Sequence, residues 1–387
     1  MSDTGRPGPL SGLLVADFSR VLAGPYCTML LADLGAEVIK VESPGGDDTR
    51  SWVPPVTDDG VSTYFLAINR NKKSVALDLK KERDVALAKA LAARADIFVQ
   101  NFKPGGLRRY GLDYASVSAA NPGIIYASIS GFGESEGASS LPGYDLMVQA
   151  ISGMMSLTGD PDGPPYRAGI SVFDVIAGLH STIAILAALN HRTATGEGQH
   201  LEASLLASAL SGMVNQTSAY VAGGTVPFRM GNSHPSLFPY EPLPTKDRDM
   251  IITAGNDAQF RKLCEVIGIP ELPEDPLYAS NPARTANRDK LRPLLAARLA
   301  EKPAAEWFRE LIAAGVPCGP INTVDAGVAF AEEIGLEPVV TVGSGDAARP
   351  GVRHPVNFSK TPASYPLAPP GLDEHGEEIR TWLEGLL

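Results

Sequence analysis

Cysteine is scarce in this chain of 387 residues. Only Cys27, Cys264 and Cys318 occur, far apart and odd in number. That excludes a disulfide framework, and no two of them stand at zinc-ligand spacing. The six histidines are scattered without a His-x-x-x-His or His-Glu pair, so no metal is expected. Positive charge is short as well: 33 Lys and Arg face 44 Asp and Glu, net −11. Such a balance disfavours generic nucleic-acid binding, and any anionic ligand must be held by a local basic site. Met1–Leu10 holds no leader-like apolar core. The longest apolar run, residues 175–189, is about one turn short of a membrane span and is interrupted by His180, Ser181 and Thr182. Neither a phosphate-binding P-loop nor a Gly-x-Ser-x-Gly elbow is present. These absences lead to the expectation of a soluble, cytoplasmic protein with neither nucleic acid nor membrane as partner.

What is present is enough for a sizeable core. Hydrophobic residues make up 44% and charged residues 20%, and the length suits two domains. The first two hundred residues alternate between strand and helix patterns. Strands are expected at 13–18, 37–42, 74–79, 96–100 and 124–130, and helices at 26–34 and 81–94. Such alternation implies a parallel sheet with helices on both faces, whose ligands sit beyond the carboxyl ends of the strands. Residues 223–242 change texture to glycine, proline and aromatics, which marks a crossover into a second domain. There, strands are expected at 241–245 and 250–254, and a helix capped by Asp257 runs to Ile267. Further helices are expected at 288–300 and 304–314. The tail from Val339 reads as loop closed by a short helix, 377–386.

The glycine-rich stretch Gly131–Gly137 is a poor dinucleotide fingerprint, because its third glycine is one place late. Two aspartates draw more attention. Asp145 precedes a helix expected at 146–155, and Asp174 directly precedes the apolar run at 175–189. Helix capping alone explains an Asp at either place. Asp174 has more in its favour: its neighbours are apolar, and Ala177 and Gly178 leave room for a ligand. Poor solvation makes its carboxylate a better nucleophile, while the helix N-terminus is expected to keep it ionised. His180 reads as a packed core residue. The loop Gln100–Gly106, followed by Arg108 and Arg109, offers an amide, an aromatic face and cations on the ligand edge, a mixture that suits a phosphorylated ligand with a planar base.

An ordered set of motifs then carries a resemblance. It comprises Asp17-Phe18-Ser19-Arg20, Ala23-Gly24-Pro25, Leu34 to Glu42, Asn69 to Ser74, Asn101 to Gly105, Ser130 to Gly133, Thr195 to Gln199 and Gly315 to Pro320. With these the chain resembles the family III CoA-transferases, which include formyl-CoA and crotonobetainyl-CoA transferases and are related to α-methylacyl-CoA racemases. The resemblance implies an α/β fold: a Rossmann-like parallel-sheet large domain plus a smaller α+β domain, in an interlocked homodimer. It places the large CoA-binding domain with its linker at 1–222, the small domain at 223–330, and a tail at 331–387 that returns to the large domain.

The resemblance also implies a CoA-transferase with no tightly bound cofactor, whose substrates are coenzyme A, acyl-CoA and a free carboxylic acid. The covalent nucleophile falls on Asp174. CoA contacts fall on Leu22 and Ala23, on Leu77 to Lys80, on Asn101, Phe102 and Lys103, and on Arg109. Tyr144, Asp145 and His234 are expected to shape the acyl pocket. A racemase acting by α-proton transfer is the alternative, but racemases carry His where Tyr144 stands, and a tyrosine with a pKa near ~10 is a poor two-way proton shuttle. Many relatives also carry Arg at the position of Ser43, where Arg50, Lys40 or Lys80 would have to compensate. The run of glycines that closes over the site in formyl-CoA transferases is replaced by Gly231–Pro235, which argues against formate and oxalate.

Overall fold

The computed structural model describes residues 8–387; the first seven residues of the stretch read above for a leader lie outside the described residues. Two compact units are present. One holds the chain up to Met154, then Arg167–Thr225 and Glu337–Leu387; the other holds Met155–Tyr166 and Val226–Leu336.

The first unit is built on six parallel strands: β1 (Leu14–Asp17), β2 (Glu37–Glu42), β3 (Lys72–Ala76), β4 (Ile97–Gln100), β5 (Ile125–Ser130) and β6 (Gln199–Ser204), in the order β3-β2-β1-β4-β5-β6. Its helices are α1 (Ala23–Asp33), α2 (Thr63–Ile68), α3 (Glu82–Arg94), α4 (Tyr114–Ala120), α5 (Asp145–Ile151), α6 (Val172–Thr195), α7 (Leu205–Gly212) and α8 (Val214–Val221). β1, β4 and β5 are largely apolar on both faces, as burial on both sides requires. Val15, Val38, Val99, Ile125 and Ala127 face a core shared with α1, α6 and α7. Ala16, Ile39, Phe98 and Tyr126 face the other core, which α3 completes.

In the second unit β7 (Tyr240–Pro244), β8 (Asp249–Thr253) and β9 (Cys318–Pro320) form an antiparallel sheet. Helices α9 (Asp257–Val266), α10 (Asn281–Ala286), α11 (Arg288–Leu299), α12 (Ala304–Ala313) and α13 (Val324–Glu333) follow the first two strands or flank β9. Phe238, Ile252, Phe260, Leu295 and Trp307 fill its core. The cap of α9 is Asn256, whose side chain accepts the Gln259 N–H at 2.8 Å. Asp257, expected to cap this helix, instead pairs with buried Arg284 at 2.8 Å.

The tail is more structured than its sequence implies. β10 (Val339–Val342) and β11 (Arg349–Val352) form a hairpin, and α14 (Gly376–Glu384) closes the chain. The residues before and within α14 cover the open edge of β3. Asp373 Oδ1 accepts the Ala76 N–H at 2.8 Å, His375 Nδ1 accepts the Ser74 N–H at 3.3 Å, and Arg380 donates to the Ala76 carbonyl at 3.3 Å. Burial holds the His375 imidazole below its ordinary pKa, which keeps that nitrogen an acceptor.

Candidate active site

The strand order reverses direction between β1 and β4: the chain runs outward through β2 and β3 on one side and through β5 and β6 on the other. A crevice must open where the loops after β1 and β4 part, at the carboxyl ends of the strands. A cavity of about 590 Å³ lies there, lined among others by Val21, Leu22, Ala23, Asn101, Phe102 and Lys103. Tyr144 and Asp174 also line it.

The walls are fixed by paired polar groups. Asn101 clamps the β1 loop: its Oδ1 accepts the Arg20 N–H at 2.9 Å and its Nδ2 donates to the Arg20 carbonyl at 2.6 Å. Its amide, expected to meet a ligand, is therefore committed to holding two loops together. Val21 sits at φ +69°, a left-handed conformation costly for a β-branched residue. Its N–H points to the carboxylate of Asp47 at 3.3 Å, and Asp47 is anchored by buried Lys40 at 2.8 Å. Below this, Asp17 accepts from Thr28 at 2.6 Å and pairs with fully buried Lys72 at 3.1 Å. Burial opposes the Asp17 charge, but Lys72, Lys40 and the hydroxyls of Ser19 and Thr28 outweigh it and hold its pKa below the usual carboxylate range.

Asp174 is the third residue of α6, inside the helix rather than before it, because the helix begins at Val172. It does not cap. Neither does the N-cap residue Ser171, which makes no side-chain cap bond. The capping group comes from another helix: buried Asp145, at the start of α5, accepts the N–H groups of Phe173 at 2.8 Å and Asp174 at 3.1 Å. Gln149, one turn along α5, donates to the other Asp145 oxygen at 2.5 Å and accepts the Ala168 N–H at 2.8 Å. The Asp174 carboxylate accepts no hydrogen bond and pairs with no cation among the described residues. Burial first, and the Asp145 charge second, push its pKa from 3.8 up to about 7. The helix N-terminus therefore does not keep it fully ionised at neutral pH; desolvation wins.

Gly178 lies one helical turn beyond Asp174, on the same face of α6. A Cβ there would stand 2.7 Å from the Ala23 carbonyl and 3.2 Å from the Tyr26 ring. Its smallness thus serves the contact of α6 with α1 rather than ligand access, and that close crossing brings Asp174 to the loop of Leu22 and Ala23. Gly131 and Gly143 meet back to back: a Cβ on either would fall within 2.4 Å of the other's Cα. This contact fixes Tyr144, which is exposed, at the cavity wall.

The remaining expected residues divide. Lys80 and Arg109 line a second depression of about 370 Å³ together with Lys81, Lys89 and Tyr110. Arg109 stacks over the Tyr110 ring at 4.6 Å. Phe102 links the two places: it lines the first cavity and packs against the same core cluster as Leu79 and Tyr110. Leu77 is a buried core residue, so its side chain is closed to a ligand. His234 belongs to the second unit, where its Nδ1 accepts the Ser236 N–H at 3.0 Å and its ring stands edge-on to Tyr240. His180 pairs with Ser208 at 3.1 Å and does not line the cavity. Of the three cations weighed against Ser43, Lys40 is spent on Asp47 and Arg50 forks Glu42 at 2.7 and 2.8 Å. Lys80 remains exposed.

Sequence reasoning passed over Trp52 and Tyr64. Trp52 lines the cavity and stands edge-on to Tyr64 at 5.1 Å. Burial, and more weakly the charges of Asp174 and Asp145, raise the Tyr64 pKa against a bond with Ser171. Glu134, His200 and Glu202 also bring their polar atoms within 4.8 Å of one another, but both carboxylates are exposed and the His200 Nε2 is committed to Ser128 at 2.8 Å.

Residues 10–376 match the family model described as CoA-transferase family III. The chain is 42% identical to a succinate–glutarate CoA-transferase of Agrobacterium fabrum, covering 98% of this chain and 96% of that protein. It is 41% identical to an acetyl-CoA:oxalate CoA-transferase of Acetobacter aceti, covering 96% of this chain and 95% of that one. Among solved structures, a CAIB/BAIF family protein from Brucella suis superposes with a TM-score of 0.87 at 44% identity, covering 97% and 99% of the two chains.

Proposed function

The chain belongs to CoA-transferase family III and transfers CoA between an acyl-CoA and a carboxylic acid; from that premise we propose that the transfer runs through covalent intermediates on Asp174. The observation that carries this reading is a carboxylate with neither donor nor cation among the described residues, facing a cavity at the sheet's switch point, with a pKa raised to about 7. Such a group is half ionised at neutral pH and poorly solvated when ionised, which makes it a strong nucleophile for its type.

The Asp174 carboxylate attacks the thioester carbonyl. The C–S bond breaks, and the products are an acyl–aspartyl anhydride and CoA thiolate. The thiolate attacks the Asp174 carbonyl, expelling the first acid as its carboxylate and leaving an aspartyl–CoA thioester. The acceptor carboxylate attacks that carbonyl, releasing thiolate again. The thiolate takes the acyl carbon of the new anhydride and frees Asp174. Every step exchanges one acyl bond for another, so no nucleotide is consumed.

The loops at Leu22–Ala23 and Asn101–Lys103 would hold the pantetheine arm, and Lys80, Lys103 and Arg109 would face the phosphates. Two relatives are named for dicarboxylates, succinate with glutarate and oxalate, so a dicarboxylate acceptor is proposed here. The oxalate relative removes support for the exclusion drawn from Gly231–Pro235.

A homodimer is part of this proposal. α6 has 24 residues, long and apolar enough to cross a membrane by length and composition. Yet Phe173, Ala177, Gly178, Ile185 and Ala188 are buried in the first unit. Its exposed stripe of Leu179, Ile183 and Leu186 suits a second copy of the chain.

The test is mass spectrometry after incubation with succinyl-CoA, glutaryl-CoA and acetyl-CoA, with hydroxylamine to trap the activated carboxyl. A hydroxamate at Asp174, absent in Asp174→Ala, is expected, and turnover retained in Asp174→Ala would sink the assignment. Exchange of the α-proton without an adduct would point to racemase chemistry.

A further inference from the structure

A line of polar side chains crosses the sheet beneath the loop Asn101–Lys103. Gln100 on β4 stands opposite Ser128 on β5, and Ser128 stands opposite Glu202 on β6. His200 lies two residues before Glu202, so the period of two places it on the same sheet face. The first three contacts in the line are short. The Phe102 N–H donates to Gln100 Oε1 at 2.8 Å. Gln100 Nε2 donates to Ser128 Oγ at 2.9 Å. Ser128 Oγ meets His200 Nε2 at 2.8 Å, and His200 Nδ1 faces Glu202 at 3.6 Å.

One fixed donor sets the direction of the first two bonds. A backbone N–H can only donate, so the Gln100 oxygen must face Phe102 and its NH2 must face Ser128. Ser128 accepts there, and its hydroxyl shares the next hydrogen bond with His200 Nε2. Gln100 and Ser128 are buried, so none of these bonds is readily exchanged for water. At the far end the imidazole stacks on Tyr114 at 4.9 Å and stands edge-on to Tyr126 at 5.5 Å.

We propose that His200 is a positioning residue for CoA: through Ser128 and Gln100 it fixes the Phe102 N–H and so the loop that lines the cavity. The proposal deepens the reading of that loop as a CoA contact and rests on it. Loss of the imidazole leaves Ser128 without its partner on β6 and loosens the bond that orients Gln100 against Phe102.

The experiment is calorimetric titration of the protein with CoA at pH 8, beside steady-state kinetics. His200→Phe keeps the stack on Tyr114 but removes the partner of Ser128. It should weaken CoA binding about three- to tenfold at pH 8, the size expected for one lost buried hydrogen bond, with kcat within about twofold. His200→Gln supplies an amide in place of the imidazole to pair with Ser128, and should restore affinity. Lys103→Ala, on the same loop, separates the two readings. If Lys103→Ala weakens CoA binding and His200→Phe does not, the relay is overturned while the loop contact stands. If Lys103→Ala leaves binding unchanged, the loop reading falls and the relay with it. Should His200→Phe fail to fold, Ser128→Ala decides alone: CoA affinity unchanged in that variant overturns the proposal.

Discussion

Removing the charge of Asp174 should stabilise the protein, and the gain should depend on pH in a way the structure dictates. The Asp174 pKa rises from 3.8 in the unfolded chain to about 7 in the fold. The native state therefore binds the proton more tightly, and ionisation costs folding free energy. That cost is absent below the unfolded value and complete above the folded one. At about 1.4 kcal/mol per pH unit, the gap between 3.8 and about 7 amounts to roughly 4 kcal/mol above pH 7. Asp174→Asn replaces the carboxyl by a neutral group of similar shape, which is free of this cost. Urea unfolding of the two proteins at one protein concentration should show the variant gaining on the natural protein. Between pH 5 and pH 8 the difference should widen by about 2.5 kcal/mol, since part of the cost is already present at pH 5. A difference that stays flat over this range would refute the reasoning, because the carboxylate would then be as well solvated in the fold as outside it. A narrowing difference would mean that an unrecognised cation holds the charge.

Other consequences can be measured alongside. The ionised form of Asp174 is the nucleophile, so kcat/KM should fall about tenfold per pH unit below pH 7 and level off above it. Asp145→Asn keeps an acceptor for the Phe173 and Asp174 N–H groups but removes the smaller cause of the shift, so this acid limb should move to lower pH without reaching 3.8. Asp145→Ala leaves both N–H groups without that acceptor and should cost about 1–3 kcal/mol in stability. Lys80→Ala and Arg109→Ala should raise KM for acyl-CoA and weaken its salt dependence, with kcat little changed; equal effects on kcat would place these cations elsewhere. Gly143→Ala must push apart two backbones that meet at Gly131, and should cost about 1–3 kcal/mol with loss of activity.

Much of the parallel sheet was legible because β1, β4 and β5 are mostly apolar runs, and the expected strand at 37–42 coincides with β2. β6 was not legible: Gln199, His200, Glu202 and Ser204 make it polar, as a half-exposed edge strand can be. The β10–β11 hairpin was hidden by Pro350 and Gly351, which edge strands tolerate. The segment Met155–Tyr166 carries glycine and prolines and no periodicity, so nothing marked it as part of the second unit. Asp174 could be named but its environment could not. Its pKa depends on Asp145, which is 29 positions away and supplies the cap that local reasoning sought in Asp174 itself. Cations were harder still. Lys40, Arg50 and Lys80 look alike in sequence, and only packing shows that two of them are spent on buried carboxylates.

The cover over the β3 edge comes late in the chain. Ala76 and its partner Asp373 are 297 positions apart. At synthesis rates of about 5–20 residues per second, the edge emerges roughly 15 to 60 s before the carboxylate that shields it. Through that interval a row of unpaired backbone groups is open to any neighbouring strand. Loss of the last fifteen or so residues would make the interval permanent. A shortened chain would keep Asp174 and every wall of its cavity, and would be lost to strand pairing between copies rather than to failed chemistry.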